Sequence, residues 1–159
     1  MLLAANPFNN LLSGTDNAMS QPEASPEPTE HIVLYDGVCK LCTGWVNFLI
    51  RHDRKHRVRL AAVQTSKGRE LLVRAGMSPD NVNTIVLMEG GKTYFRADAI
   101  FRVMKWLPFP WRMFGVLRYL PKALSNRCYN LIASNRYRLF GRYSEYQQPR
   151  ADHPDRFLE

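Results

Sequence analysis

The sequence predicts an α/β fold: a mixed sheet of about four strands with flanking helices, and an extra helical C-terminal region. Three observations point there. Short β-branched apolar runs alternate with stretches of helical periodicity. A Gly-Gly turn joins the last two of these runs. A Cys-x-x-Cys pair falls between the first run and the first helical stretch. At 159 residues the chain has room for one domain with a proper core.

Residues 1–30 are rich in Asn, Ser, Pro and Glu, with Pro22, Pro26 and Pro28 closely spaced, and read as a disordered leader. Within it, Pro7 to Leu12 forms a short amphipathic piece, and Met19 is an alternative start. The domain is expected over 31–146, with a polar tail at 147–159. His31 to Tyr35 reads as a buried strand followed by Asp-Gly turn chemistry. Leu41 to about His52 is the first helix, with Leu41, Trp45, Phe48 and Leu49 at three- and four-residue spacing. Val58 to Val63 is a second strand, and Ser66 to Ala75 a helix capped by Ser66 and closed by Gly76. Thr84 to Met88 is the third strand. Gly90-Gly91 supplies positive φ values for a tight reversal into Thr93 to Arg96. Asp98 caps a helix over Ala99 to Leu107, which Pro108 and Pro110 end. Further helical segments run from Trp111 to Leu120 and from Pro121 to Asn135, with a basic-aromatic continuation to Arg142.

A right-handed β-α-β followed by an antiparallel hairpin is the thioredoxin-like arrangement. Residues after the first strand then emerge at the carboxyl edge of the sheet, where open α/β sheets hold their sites. Those residues are Asp36-Gly37-Val38-Cys39-Lys40-Leu41-Cys42. Cys39 falls at the open N-terminus of a helix, where unpaired N–H groups and the macrodipole favour thiolate. It reads as the attacking thiol, and Cys42, nearly one turn on, as the resolving one. Lys40 adds positive charge or points into solvent. Asp36 has two readings that do not exclude each other: a turn and capping residue, or a carboxylate fitted by partial burial for proton transfer. Neither a cofactor nor a metal is expected, since one Cys-x-x-Cys supplies only two of four zinc ligands and Cys128 with four scattered histidines makes no second pair. Cys128, among Leu124, Leu131 and Ile132, reads as a small core residue.

The pattern Asp36-x-x-Cys39-x-x-Cys42 after an apolar strand ending in Tyr35 resembles the signature of the DCC family of thiol-disulfide oxidoreductases. Ala97-Asp98-Ala99, Trp106-Leu107-Pro108 and Asn135 to Arg142 resemble family features too. The resemblance spans about His31 to Arg142 and implies a thioredoxin-like fold with redox-active Cys39 and Cys42, and Asp36 as the third signature position. Thioredoxin-like enzymes usually place a cis-proline immediately before the third strand. Here Asn83-Thr84 stands there, with Pro79 the nearest proline upstream. Thr84, through its backbone edge, is the substrate-binding candidate in its place, and Lys40, between the cysteines, is the other.

The formal charge is +8, and residues 1–30 contain four acids and no Lys or Arg, which leaves +12 on the rest. Such a field attracts nucleic acid, anionic lipid or acidic proteins without choosing among them. From 102 to 142, nine Lys and Arg residues interleave with aromatics. The simplest expectation is that the aromatics pack on the sheet while arginines cover the solvent side. A basic amphipathic surface lying on an anionic membrane is the competitor. No nucleic-acid signature accompanies the charge, so no nucleic-acid partner is expected. The preferred reading is a redox enzyme acting on an unknown protein or small thiol/disulfide. The alternative is a non-enzymatic adaptor that docks through 106–142. Three cysteines, no apolar run near ~20 residues and no basic-flanked signal suggest the cytoplasm.

Overall fold

The computed structural model describes residues 30–80, 84–153 and 155–158. The leader up to residue 29, with the amphipathic piece at 7–12 and Met19, and also Asn83, lie outside the described residues. Four strands, β1 (His31–Tyr35), β2 (Val58–Ala62), β3 (Val86–Glu89) and β4 (Lys92–Phe95), form one sheet in the order β2-β1-β3-β4. β1 pairs parallel with β2 and antiparallel with β3, and β3 returns antiparallel into β4. Gly90 and Gly91 turn that hairpin at φ 55° and 74°, the positive values their missing Cβ permits.

After His31, β1 is an apolar run from Ile32 to Tyr35 that is covered on both faces. Val33 and Tyr35 face a core with Val46 and Leu49 of α1 (Lys40–His52) and Ala99 and Val103 of α3 (Arg96–Met104). Ile32 and Leu34 face Leu71 and Leu72 of α2 (Ser66–Arg74) on the other side. This mixed sheet of four strands with flanking helices is the expected fold class.

Several boundaries differ from the expectation. Thr65, not Ser66, caps α2: its hydroxyl accepts from the Gly68 N–H at 3.0 Å. α3 starts earlier than Ala99, because Arg96 takes φ 58° and turns β4 directly into it, so Asp98 lies within the first turn rather than capping it. Trp111–Tyr119 is a 3₁₀ helix, and α4 runs unbroken over Lys122–Phe140. Cys128 is exposed on α4, contrary to its expected place in the core. The aromatic expectation holds for Trp106 and Trp111, which pack on the core, and fails for Phe109, Phe114, Tyr119 and Phe140, which are exposed.

After α4 the polar C-terminal segment returns to the free edge of β2. Leu60 N–H donates to Arg156 O and Leu158 N–H to Leu60 O, each at 2.8 Å, which pairs an edge that would otherwise stay open. Arg156 is buried, with Nη1 2.8 Å from Asp53 Oδ2 and 2.7 Å from Val58 O. The other demand on Asp53 Oδ2 is the Val58 N–H, at 2.9 Å. Removing one member of such a pair strands a buried charge. Arg156→Met is expected to lower the unfolding free energy in urea by about 3–5 kcal/mol; a loss below ~1 kcal/mol would show that the tail is not a fixed part of the domain.

Candidate active site

The site forms where β1 ends and α1 begins. Asp36 O accepts from Cys39 N–H at 3.3 Å, closing the turn, and Asp36 Oδ1 accepts from Val38 N–H at 3.0 Å. Cys39 is then the N-cap of α1, with φ −82° and ψ 119°, and its Sγ accepts from the Cys42 N–H at 3.4 Å. A sulfur thus stands in for the hydroxyl that usually satisfies a first-turn donor. The two cysteines approach to 3.3 Å, both as free thiols, and both are buried.

Their environments separate them. The Cys42 thiol donates to Cys39, the Cys42 N–H adds to this, and the Arg136 guanidinium contributes; against burial and the Asp36 charge, these lower the Cys39 thiol to about 6. The same thiol–thiol contact pushes Cys42 up, reinforced by burial and by the neighbouring thiolate, with Arg136 opposing. One cysteine is set to be the thiolate and the other the thiol.

Asp36 is buried beside them with its lone pairs engaged. Oδ1 also accepts from Gln64 Nε2 at 2.9 Å. Oδ2 accepts from Arg136 Nη2 at 3.1 Å and from the Tyr137 hydroxyl. Arg136 Nη2 also donates to Tyr137 Oη at 2.9 Å. The Asp36–Arg136 pair is almost wholly removed from solvent and joins residues 100 apart in sequence.

The segment after α4 closes over the turn. Gly141, at φ 85°, redirects the chain. Lys40 N–H donates to Gly141 O at 3.4 Å, Tyr143 N–H to Val38 O at 2.8 Å, and Gln147 N–H to Gly37 O at 3.2 Å. Cys39 and Arg142 form an isolated antiparallel bridge. Tyr146 packs so closely on Gly37 that a Cβ there would lie 2.3 Å from its ring, so any side chain at this position would displace the ring. Beneath this strap Cys39 has no exposed surface. An apolar cavity of about 220 Å³ opens instead beside Cys42, lined by Leu41, Trp45, Ile85, Ile132 and Arg136 among others.

The other expected site residues are placed differently. Lys40 is exposed and lies along the strap, with Nζ 5.3 Å from the Tyr143 ring centre. Thr84 Oγ1 is 3.2 Å from Tyr129 Oη, which also accepts from the Ile85 N–H at 3.0 Å. The backbone edge offered by the residues before β3 is therefore already occupied by a side chain of α4. Arg136, Tyr137, Gly141 and Arg142 were legible as part of the Asn135 to Arg142 segment that resembles a family feature and of a basic-aromatic run, but spacing alone did not bring them to the cysteines. Gln64 and Tyr129 carried no motif, although Gln64 follows the strand parallel to β1 and so shares its carboxyl edge.

The charge pattern has a direct readout. The rate of Cys39 alkylation by iodoacetamide is expected to rise with pH through a midpoint of about 6, because only the thiolate reacts. Asp36→Asn removes a charge that opposes the thiolate and frees Arg136 to face it, so the midpoint is expected to move lower. A wild-type midpoint near ~8.5 contradicts the arrangement, and an unchanged profile in Asp36→Asn confines Asp36 to holding the turn.

Residues 33–142 match the DCC1-like thiol-disulfide oxidoreductase family. A chloroplastic DCC family protein of Arabidopsis thaliana is 40% identical over 118 residues, which cover 73% of this chain and 68% of that protein. The uncharacterized protein YuxK of Bacillus subtilis is 34% identical over 134 residues, covering 84% of this chain and 98% of that one. No solved structure matches. No helix among the described residues is long and apolar enough to cross a membrane. The matched span takes in the cysteine turn together with the Arg136-Tyr137 pair that closes on it, and the chain belongs to the DCC1-like thiol-disulfide oxidoreductase family.

Proposed function

We propose that the protein is a thiol-disulfide oxidoreductase that cycles Cys39 and Cys42 between dithiol and disulfide. The observation that carries this reading is the Cys39 sulfur at the helix N-cap, accepting from Cys42 and lowered to about 6. Near neutral pH it is mostly thiolate.

In the reducing direction, the 141–147 strap must first move off Cys39, which has no exposed surface beneath it, and Cys39 Sγ then attacks one sulfur of a substrate disulfide. An S–S bond forms to Cys39, the substrate S–S bond breaks, and the leaving sulfur departs as a thiolate that takes a proton from solvent. The negative charge at Cys39 is then gone. The terms that held the Cys42 proton, its bond to the Cys39 thiolate and that thiolate's charge, vanish with it, while Arg136 still favours a Cys42 thiolate. Cys42 loses its proton, attacks Cys39 Sγ, and expels the second substrate sulfur. Two electrons have passed to the substrate, and the Cys39–Cys42 disulfide remains. Asp36 is a positioning residue in this scheme: it fixes Arg136 and the turn, and its lone pairs are already committed to four donors. The substrate is a protein or small-molecule disulfide.

Exposure to oxidised glutathione tests the division of roles. Wild-type protein is expected to end with an internal Cys39–Cys42 disulfide and free reduced glutathione. Cys42→Ser is expected to stop at a glutathione adduct on Cys39, seen by intact mass and peptide mapping. An adduct on Cys128 alone, or no internal disulfide in the wild type, would remove the redox reading.

A further inference from the structure

The second unusual surface of this molecule lies away from the cysteines. In a 3₁₀ helix with three residues per turn, side chains three apart stand in one row. Met113, Val116 and Tyr119 form such a row along Trp111–Tyr119 and are 60%, 64% and 75% exposed. Phe109, on the elbow just before, is exposed to the same extent as Tyr119. On α4, Leu124 and Leu131 are two turns apart on the side opposite Tyr129 and Arg136, and both are more than half exposed. Arg127 and Arg138 fall on that same side of the helix. Large apolar side chains in such numbers on the outside of a small domain mark an interaction surface rather than ordinary scatter.

Charge indicates what the surface meets. Between Asp98 and Glu145 the chain contains no Asp or Glu. Over the same stretch Lys105, Arg112, Lys122, Arg127, Arg138 and Arg142 are exposed, and none makes an ion pair among the described residues. We propose that the exposed apolar and cationic side chains of the 3₁₀ helix and of the outer side of α4 dock the protein on an anionic membrane surface. Aliphatic and aromatic side chains enter the boundary between headgroups and acyl chains, and the cations stay with the lipid phosphates. Both halves of the pattern are needed for this partner. A nucleic acid uses cations and stacking rings but gains little from exposed Met, Val and Leu. A second copy would bring the same unpaired cations face to face. The docking does not depend on the redox chemistry of Cys39.

Flotation of the full chain with vesicles tests it. Vesicles of equimolar phosphatidylcholine and phosphatidylglycerol are expected to carry the protein at low salt, and phosphatidylcholine alone is not. Each of Arg127→Gln and Arg138→Gln is expected to weaken partitioning about five-fold. The triple variant Met113→Ser, Val116→Ser, Tyr119→Ser is expected to lose at least about tenfold. These positions are exposed, and an unchanged urea midpoint confirms that the variants fold. Cys39→Ser is expected to float like the wild type. The proposal is overturned by no flotation, by equal flotation on phosphatidylcholine alone, or by full flotation of the triple variant. Retention on a single-stranded oligonucleotide without flotation also overturns it, in favour of a nucleic-acid partner.

Discussion

One buried ion pair, Asp36 with Arg136, is the constraint on which the rest of the site depends. Both side chains are almost wholly removed from solvent, so each charge is compensated by the other rather than by water. The pair fixes the turn after β1 against α4, 100 residues later in the chain, and Tyr137 and Gln64 satisfy the lone pairs that Arg136 leaves. An isolated Asp36 carboxylate beside two thiols would oppose a thiolate. With Arg136 held against it, the same neighbourhood carries a cation that favours one. Closing the fold therefore also brings a cation to the cysteines, where it adds to the Cys42 hydrogen bonds that do most to hold the Cys39 thiol low.

The strand order and the cysteine turn were legible because they are written locally. β1 is a short run that is apolar from Ile32 to Tyr35, the hairpin rests on Gly90-Gly91, and Cys39 follows a strand and opens a helix. The C-terminal third was legible in composition and not in orientation. Leu124, Cys128 and Leu131 make the apolar stripe that a core-facing helix should have, yet that stripe faces out. α4 instead turns its mixed side inward, because part of what it meets is a carboxylate and a pair of thiols. Arg136 pairs with that carboxylate and Tyr129 accepts from the Ile85 N–H, which leucines cannot do. Local periodicity carries no information about a polar partner so distant in sequence.

The closure has consequences for access. Here residues 141–147 pair with the turn above Cys39, and Tyr129 occupies the Ile85 N–H. The open apolar space lies on the Cys42 side. The cysteine chemistry is thus embedded between the sheet and the chain's own C-terminal third, which supplies a charge, a cover and an outward-facing apolar surface from consecutive residues.

The account stands or falls on whether Asp36 and Arg136 act as a unit, and a double-mutant cycle of Asp36→Asn and Arg136→Met in urea unfolding tests this most directly. Either single change leaves its partner's polar groups buried without their counterpart. Each is therefore expected to cost about 3–5 kcal/mol, and the double variant to cost little more than one single change. Additive losses, with a coupling below ~0.5 kcal/mol, would mean that the pair is adjacent without being coupled. The link between α4 and the cysteine turn would then have to come from something else.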